Sequence, residues 1–458
     1  MTMVTGFFSA LFWGALLLSL LVVIHEGGHF LAARAFGIRV TEFFIGMPCR
    51  FHLSFKSRKF GTEFGVTPIL LGGYNRVCGM ENDDDELLAS ALAIIQREGR
   101  ADINAMSEEL DIEGDRGYAL AASLVDLASV RPYYNPELDE EPWQREWPRA
   151  FETLQRDANL LTEYDAGHDF TQEGTTEAGA PRPVDNPQAF LESEVSHTYL
   201  GKGFFPRIIV LLAGPLINIL FAYALLVGSL MIGGVEVNAN SNVLGSVVEG
   251  SYAEAAGLKG GDKILMIGKY TVSNWEDLVV AIDSSLAEGG DLRVAYERDG
   301  QTFETTIKLP KDKQVDIIGV NARLETYHLS FAEANRYAFE YMKMVGGLIA
   351  RIIMPQHTME IVSQSSSIVG ISAMASQAAA SGPNDLALLA AAISMSLGFT
   401  NLLPILPLDG GRIVVEIIQL IRGKPLSTKM QNAISYVGLA LFLLLFCCAL
   451  YNDITRLV

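Results

Sequence analysis

Two histidines and a glutamate stand within five residues, His25-Glu26-Gly27-Gly28-His29, in the middle of a leucine- and valine-rich run. Histidines four apart share one face of a helix, with Cβ atoms roughly 5–6 Å apart. That spacing suits two imidazoles on one tetrahedral zinc, each at about 2.0–2.1 Å. Glu26 lies beside the first of them. From there a carboxylate can take a proton from an attacking water and pass it to a leaving amine. Zinc chemistry complements such a base by activating water and polarising a carbonyl. Gly27 and Gly28 remove side-chain bulk, which lets a substrate backbone approach. A chance match is the bland reading in a soluble helix. With only 7 His in 458 residues it is a poor one, and ionisable groups inside an apolar span are costly and almost always functional.

A catalytic zinc normally takes three protein ligands. The other histidines, His52, His168, His197, His328 and His357, fall in stretches that read as loops, an insertion or soluble parts. The better candidate is Asp409, in the run Asn401-Leu402-Leu403-Pro404-Ile405-Leu406-Pro407-Leu408-Asp409-Gly410-Gly411. A carboxylate at the end of an apolar helix, next to two glycines, suits zinc at about 2.0–2.2 Å. Its bland reading is an interfacial aspartate without a role. Pro404 and Pro407 break the helix there. Asn401 offers an amide that can hold a substrate strand by its backbone.

The elements that carry these residues are apolar. Half of the chain is hydrophobic and its mean hydropathy is +0.26. Four runs, 6–36, 204–233, 384–408 and 431–451, are each near the ~20 residues that cross a bilayer as a helix. The first lacks the basic start of a signal peptide and reads as a retained span. Arg34, Arg39, Arg50 and Lys56 close or follow it, and Arg412, Arg422, Lys424 and Lys429 separate the last two runs. The positive-inside rule puts both groups in the cytoplasm and both chain ends outside. Cys49, Cys78, Cys447 and Cys448 form no CxxC pair and no disulfide framework.

Between the spans the composition changes twice. Residues 37–80 read as short strands lying against the membrane, with Phe64 to Leu71 one of them and Gly72-Gly73-Tyr74 following. Residues 81–200 read as an acidic cytoplasmic insertion that opens on Asp83-Asp84-Asp85. It holds 28 acidic residues against eight arginines and no lysine, so it accounts for the whole net charge of −19. Leu87–Ile95 and Ala150–Leu161 have helical spacing, and 165–188 reads as a linker. Residues 235–325 alternate strand and helix patterns, with a hairpin turning at Asp299-Gly300. Residues 329–383 read as an amphipathic helix and a linker, the helix lying on the membrane or against the preceding domain. Gly233-Gly234 and Ser363 to Ser367 are candidate hinges. Residues 412–430 read as a cytoplasmic loop.

These motifs together resemble the site-2 protease family, and within it the regulator of sigma-E protease group. The match rests on HExxH in the first span, NxxPxxxLDG in a late one, Gly72-Gly73-Tyr74, and Ala213-Gly214-Pro215 with Asn218 in span two. Residues 81–200 stand outside it. Ser251 to Leu265 is similar to bacterial PDZ domains. The resemblance implies an α-helical polytopic membrane protein of four transmembrane helices, with a membrane-associated β segment and a PDZ-like α/β domain outside the cell. It implies a Zn2+ metalloendopeptidase in a bacterial cell membrane. His25, His29 and Asp409 would bind the metal, Glu26 would be the base, and Asn401 would help hold substrate, with Gly72, Gly73 and Tyr74 offering a strand edge. Its partners would be single-span membrane proteins such as anti-sigma factors or remnant signal peptides, membrane lipid, and a peptide ligand of the PDZ domain, with no nucleic acid. A zinc protease acting on prenylated or soluble chains would need another third ligand. A metal carrier or PDZ scaffold would have no use for Glu26.

Overall fold

In the computed structural model, which describes residues 2–457 apart from 71, 81–84, 143, 145, 311–316, 353, 355, 357–366, 425 and 427, the first apolar run is a single helix, α1 (Thr2–Ala35). Its end is a Schellman turn. Ile38 N–H reaches the Ala33 carbonyl at 2.9 Å and Gly37 N–H that of Arg34 at 3.1 Å, with Gly37 at φ +65°. Four short strands follow: β1 (Val40–Ile45), β2 (Leu53–Lys56), β3 (Glu63–Val66) and β4 (Gly73–Val77). Their order is β2-β3-β1-β4, so β4 is an edge strand, and it packs along α1. The expected strand from Phe64 to Leu71 stops at Val66, two residues before Pro68, and Leu71 lies outside the described residues.

The acidic segment is a folded unit. Asp83 and Asp84 lie outside the described residues. From Asp85 the chain runs through α2 (Leu88–Glu98), β5 (Arg100–Asp102), α3 (Ile103–Glu109), α4 (Gly114–Asp126), β6 (Val130–Tyr133), β7 (Ala150–Thr153) and α5 (Pro187–Ser196). The sheet order is β5-β7-β6. Helix, strand, two helices and a two-stranded wing in this order is the winged-helix arrangement. Its core is Leu92, Ile95, Ile103, Leu120, Leu124 and Phe151. Carboxylates crowd the wing, where Glu137, Asp139, Glu141 and Glu146 are exposed.

Two expectations fail inside this unit. Ala150–Leu161 begins as a strand, because Ala150–Thr153 pairs with Arg100–Asp102 on one side and Val130–Tyr133 on the other. Residues 165–188 are not a free linker. Asp165 is buried, held by a two-pronged contact from Nε and Nη2 of Arg39 at 2.7 Å each. Arg39 also reaches Glu194 at 2.9 Å, and Arg156 grips the same carboxylate at 2.8 and 3.0 Å. The insertion is therefore bound to the segment just beyond α1 by a buried charge network.

Helix α6 (Phe204–Ile232) and Thr5–Ala35 of α1 are the two helices, among the described residues, long and apolar enough to cross a membrane. By internal packing the chain divides into residues 1–226 with 338–458, and residues 227–337. The second unit holds β8 (Val235–Asn238), β9 (Leu244–Val247), α7 (Tyr252–Ala255), β10 (Lys263–Ile267), β11 (Tyr270–Thr271), α8 (Trp275–Glu288), β12 (Leu292–Arg298), β13 (Gln301–Ile307), β14 (Val320–Ala322) and β15 (Leu324–Tyr327). The hairpin of β12 and β13 turns at Asp299-Gly300, both at positive φ, as expected. Buried Asp262 is held by Arg298 at 2.6 and 2.7 Å.

The last elements are α9 (Phe331–Arg351), α10 (Ile368–Ser381), α11 (Pro383–Asn401), α12 (Asp409–Arg422) and α13 (Thr428–Leu457). They revise three expectations. The later half of α9 packs Val345 and Ile349 against Ile219, Ala222 and Met395, so it lies against α6 and α11. The linker before residue 383 contains α10, which packs on α1; Ser367 caps it, while Ser363 to Ser366 and His357 lie outside the described residues. The loop over 412–430 is helical to Arg422. The third run begins in the 19-residue α11 and continues past Asn401, and the fourth lies within α13.

Candidate metal centre

Helix α1 sets His25 and His29 one turn apart, with ring centroids 4.8 Å apart. Their Nε2 atoms are separated by 3.2 Å. Asp409 brings one carboxylate oxygen to both, 3.1 Å from His25 Nε2 and 3.4 Å from His29 Nε2. Three ligand atoms thus form a small triangle. With zinc–ligand bonds of about 2.0–2.1 Å, the edge of a tetrahedral face is about 3.3–3.4 Å. The triangle has the size of such a face. Among the described residues it is the one cluster of three His, Cys, Asp or Glu side chains able to hold a metal.

Proton placement supports the fit. His29 Nδ1 lies 2.7 Å from the Val210 carbonyl. A carbonyl only accepts, so Nδ1 carries the proton and the Nε2 lone pair faces the triangle. The Asn218 amide lies 3.5 Å from His25 Nδ1, and the buried Asn218 Oδ1 has no hydrogen-bond partner among the described residues. With the amide turned, that oxygen accepts the Nδ1 proton of His25. Two lone pairs and a carboxylate then converge, an arrangement that only a cation relieves.

Glycines set the close approaches. A Cβ on Gly28 would overlap the Ala213 carbonyl, and one on Gly214 would overlap the His29 ring. Gly28 therefore serves helix packing, which corrects its expected place on the substrate side. Among the described residues nothing lies within 4 Å of a Cβ position on Gly27, which keeps the open approach.

Asp409 is the first residue of α12, not the end of the third apolar helix as the motif suggested. Residues 402–408 turn the chain back after α11, and Gly410 and Gly411 let the new helix lie directly against Leu402 to Leu406. A carboxylate in a first turn also gains from the helix dipole. Two turns on, Glu416 receives the Tyr199 hydroxyl at 3.1 Å and pairs with Arg207 at 2.9 Å, which fixes α12 against the start of α6.

The candidate substrate residues are more dispersed. Gly73 opens the edge strand β4, with Val22 of α1 near its Cβ position, and Gly72 precedes it at φ +138°. The Tyr74 ring stacks on Phe44, and its hydroxyl donates to Glu42 at 3.0 Å. Its side chain thus serves the sheet, and its backbone alone is at the edge. Asn401 is half-buried at the end of α11, on the connection that leads to Asp409. A partner of Glu26 went unforeseen: Asn75 donates to its carboxylate at 2.8 Å and to its carbonyl at 3.0 Å. The sole sequence signal was the polar pair Asn75-Arg76 between Gly73-Tyr74 and the apolar Val77-Cys78.

The model of peptidase family M50 matches residues 13–445. The zinc metalloprotease RasP of Shouchella clausii is 26% identical over 460 residues, covering 96% of this chain and 97% of its own. The regulator of sigma-W protease RasP of Bacillus subtilis is 27% identical over 443 residues, covering 95% and 96%. A Lactococcus lactis protein is 30% identical over 457 residues, covering 96% and 97%.

Proposed function

The chain belongs to peptidase family M50 and is a zinc metalloprotease, and from that premise we propose that it cuts single-span membrane proteins within or at the edge of the bilayer, as a step of regulated proteolysis. His25, His29 and Asp409 hold the zinc and Glu26 is the general base. The observation that carries this reading is the triangle of His25 Nε2, His29 Nε2 and Asp409 Oδ2, with sides of 3.1 to 3.4 Å, on helices that include a membrane-length one. Zinc held there supplies an activated water and a polarised scissile carbonyl. Glu26 takes the proton from the water and delivers it to the leaving amine. Val210 and Asn218 orient the two imidazoles, and Gly27 leaves room for the substrate.

A transmembrane helix hides its amides in its own hydrogen bonds, so a substrate must be unwound before cleavage. The edge strand β4 runs beside α1 and suits strand addition. In this reading the Gly72–Tyr74 backbone receives the extended substrate and the Asn401 amide clamps it. The basic residues at the end of α1 and on α12 support a cytoplasmic site, both chain ends outside, and four spans across 6–36, 204–233, 384–408 and 431–451. The insertion is joined to the end of α1 through Arg39, which supports a cytoplasmic position for it too. Residues 235–325 act as an outward PDZ domain that filters substrates or reads a new C-terminus. Anti-sigma factors and remnant signal peptides are the substrate classes we propose, and the Bacillus subtilis relative's name, regulator of sigma-W protease, supports a link to sigma-factor control.

The test is co-expression with candidate single-span proteins, followed by mass spectrometry of the fragments. Cut sites inside the apolar span support the proposal. Cut sites confined to soluble segments more than a turn from the span contradict it.

A further inference from the structure

We propose that Asn75 is a positioning residue that holds the Glu26 carboxylate in its working orientation, a role that rests on Glu26 being the general base. Strand β4 lies along α1 in a fixed register. Gly73 faces Val22, Asn75 faces Glu26, and Val77 shares a buried cluster with Phe30. Two strand residues advance about 6.6 Å, and four helix residues advance about 6 Å. The two repeats therefore match over this length, and every second side chain of β4 meets every fourth of α1. Glycine, asparagine and valine are the residues the strand presents in turn.

At the middle position the carboxamide nitrogen carries two protons. It donates one to Glu26 Oε2 at 2.8 Å and the other to the Glu26 carbonyl at 3.0 Å. Closing on both ends of one residue fixes its side-chain torsions. It ties Oε2 to the strand and leaves Oε1 to meet the water proton. Tyr74 and Arg76 turn to the other face, where both reach Glu42. Asn75 is thus the polar side chain that β4 directs at α1. Because β4 is also the sheet edge, a substrate strand added there would lie one backbone away from the residue that orients the base.

The test compares Asn75→Leu, Asn75→Ser and Glu26→Gln in purified full-length protein, with a single-span reporter that wild type cleaves. Leucine keeps the shape and removes the donor. We expect kcat to fall roughly 10- to 100-fold, the usual scale for a misplaced catalytic group, with KM and zinc content unchanged. Serine, which keeps one donor, should recover part of the loss. Asn75→Leu should cost nothing further in a Glu26→Gln background that retains residual activity. A wild-type kcat in Asn75→Leu, or a loss that is accompanied by loss of zinc, overturns the proposal. Unimpaired cleavage by Glu26→Gln would instead remove Glu26 as base, and the two failures are told apart by these separate variants.

Discussion

His29 donates its Nδ1 proton to the Val210 carbonyl at 2.7 Å, which turns its Nε2 lone pair toward Asp409. The acceptor is main chain of α6, so the tautomer of a residue on α1 is set by how closely the two helices pack. Glycine sets that packing. Replacing Gly214 by alanine would push a methyl into the His29 ring. Gly214→Ala is expected to lower zinc content sharply, while Gly27→Ala, with open space around it, keeps its zinc. Elemental analysis of the two purified variants checks this, and full zinc in Gly214→Ala would count against the ligand role of His29.

With its amide oxygen turned to His25 Nδ1, Asn218 does for His25 what Val210 does for His29. Loss of a hydrogen bond behind a metal-binding imidazole typically costs roughly 10- to 100-fold in affinity. Asn218→Leu should therefore give up zinc to a competing chelator at lower concentration than wild type, and Asn218→Asp should not. Equal chelator midpoints for Asn218→Leu and wild type would show that His25 needs no such support.

Arg39 is 1% exposed and sits between Asp165 and Glu194. Arg39→Met leaves two buried carboxylates facing each other with one cation lost. Breaking a buried pair in this way costs about 3–5 kcal/mol. The insertion should loosen, which limited proteolysis of residues 85–200 would read as faster cleavage there.

The same network carries a pH dependence. Burial alone would raise the Glu194 and Asp165 carboxyls, but Arg156 and Arg39 outweigh it for Glu194, and the Arg39 hydrogen bonds do so for Asp165, so both stand below the usual carboxylate range. Depressed folded values mean stability that is present above the unfolded pKa and lost as pH falls through the folded one. Docking of the insertion should hold from neutral pH down to about 5 and weaken progressively below about 4, where unfolded carboxyls take up protons. Hydrogen exchange of α5 against pH measures this. Protection that weakens on the alkaline side instead would have the wrong sign.

Substrate capture has its own variants. Tyr74→Pro removes a donor from the edge strand and Asn401→Leu removes the clamp. Both should slow cleavage while zinc content stays at the wild-type level. Unchanged rates in both would dismiss strand addition at β4.

What was legible in the sequence follows how local each feature is. His25, Glu26 and His29 are neighbours on one helix, so their spacing alone suggested a metal-binding pair beside a carboxylate. Asp409 was legible through its motif, but not as the start of a helix, since Pro404 and Pro407 mark a break without saying where the next helix begins. Asn75 was hidden because its partner is set by the register of β4 on α1, a tertiary relation. Ala150–Thr153 has apolar spacing compatible with a helix, and only its two strand neighbours decide otherwise. Asp165 looked like linker because its burial depends on Arg39, 126 positions earlier. Gly398 on the third apolar run lies close to Pro215 and Ile219 of α6, a tertiary approach that the apolar composition of the run does not disclose.

The most direct measurement pairs zinc content with cleavage in Glu26→Gln and Asp409→Ala. Glu26→Gln should bind zinc like wild type and cleave a single-span reporter at a rate lower by several orders of magnitude, and Asp409→Ala should lose both zinc and activity. Cleavage that survives in Glu26→Gln, or full zinc and activity in Asp409→Ala, would contradict the assignment of base and ligands.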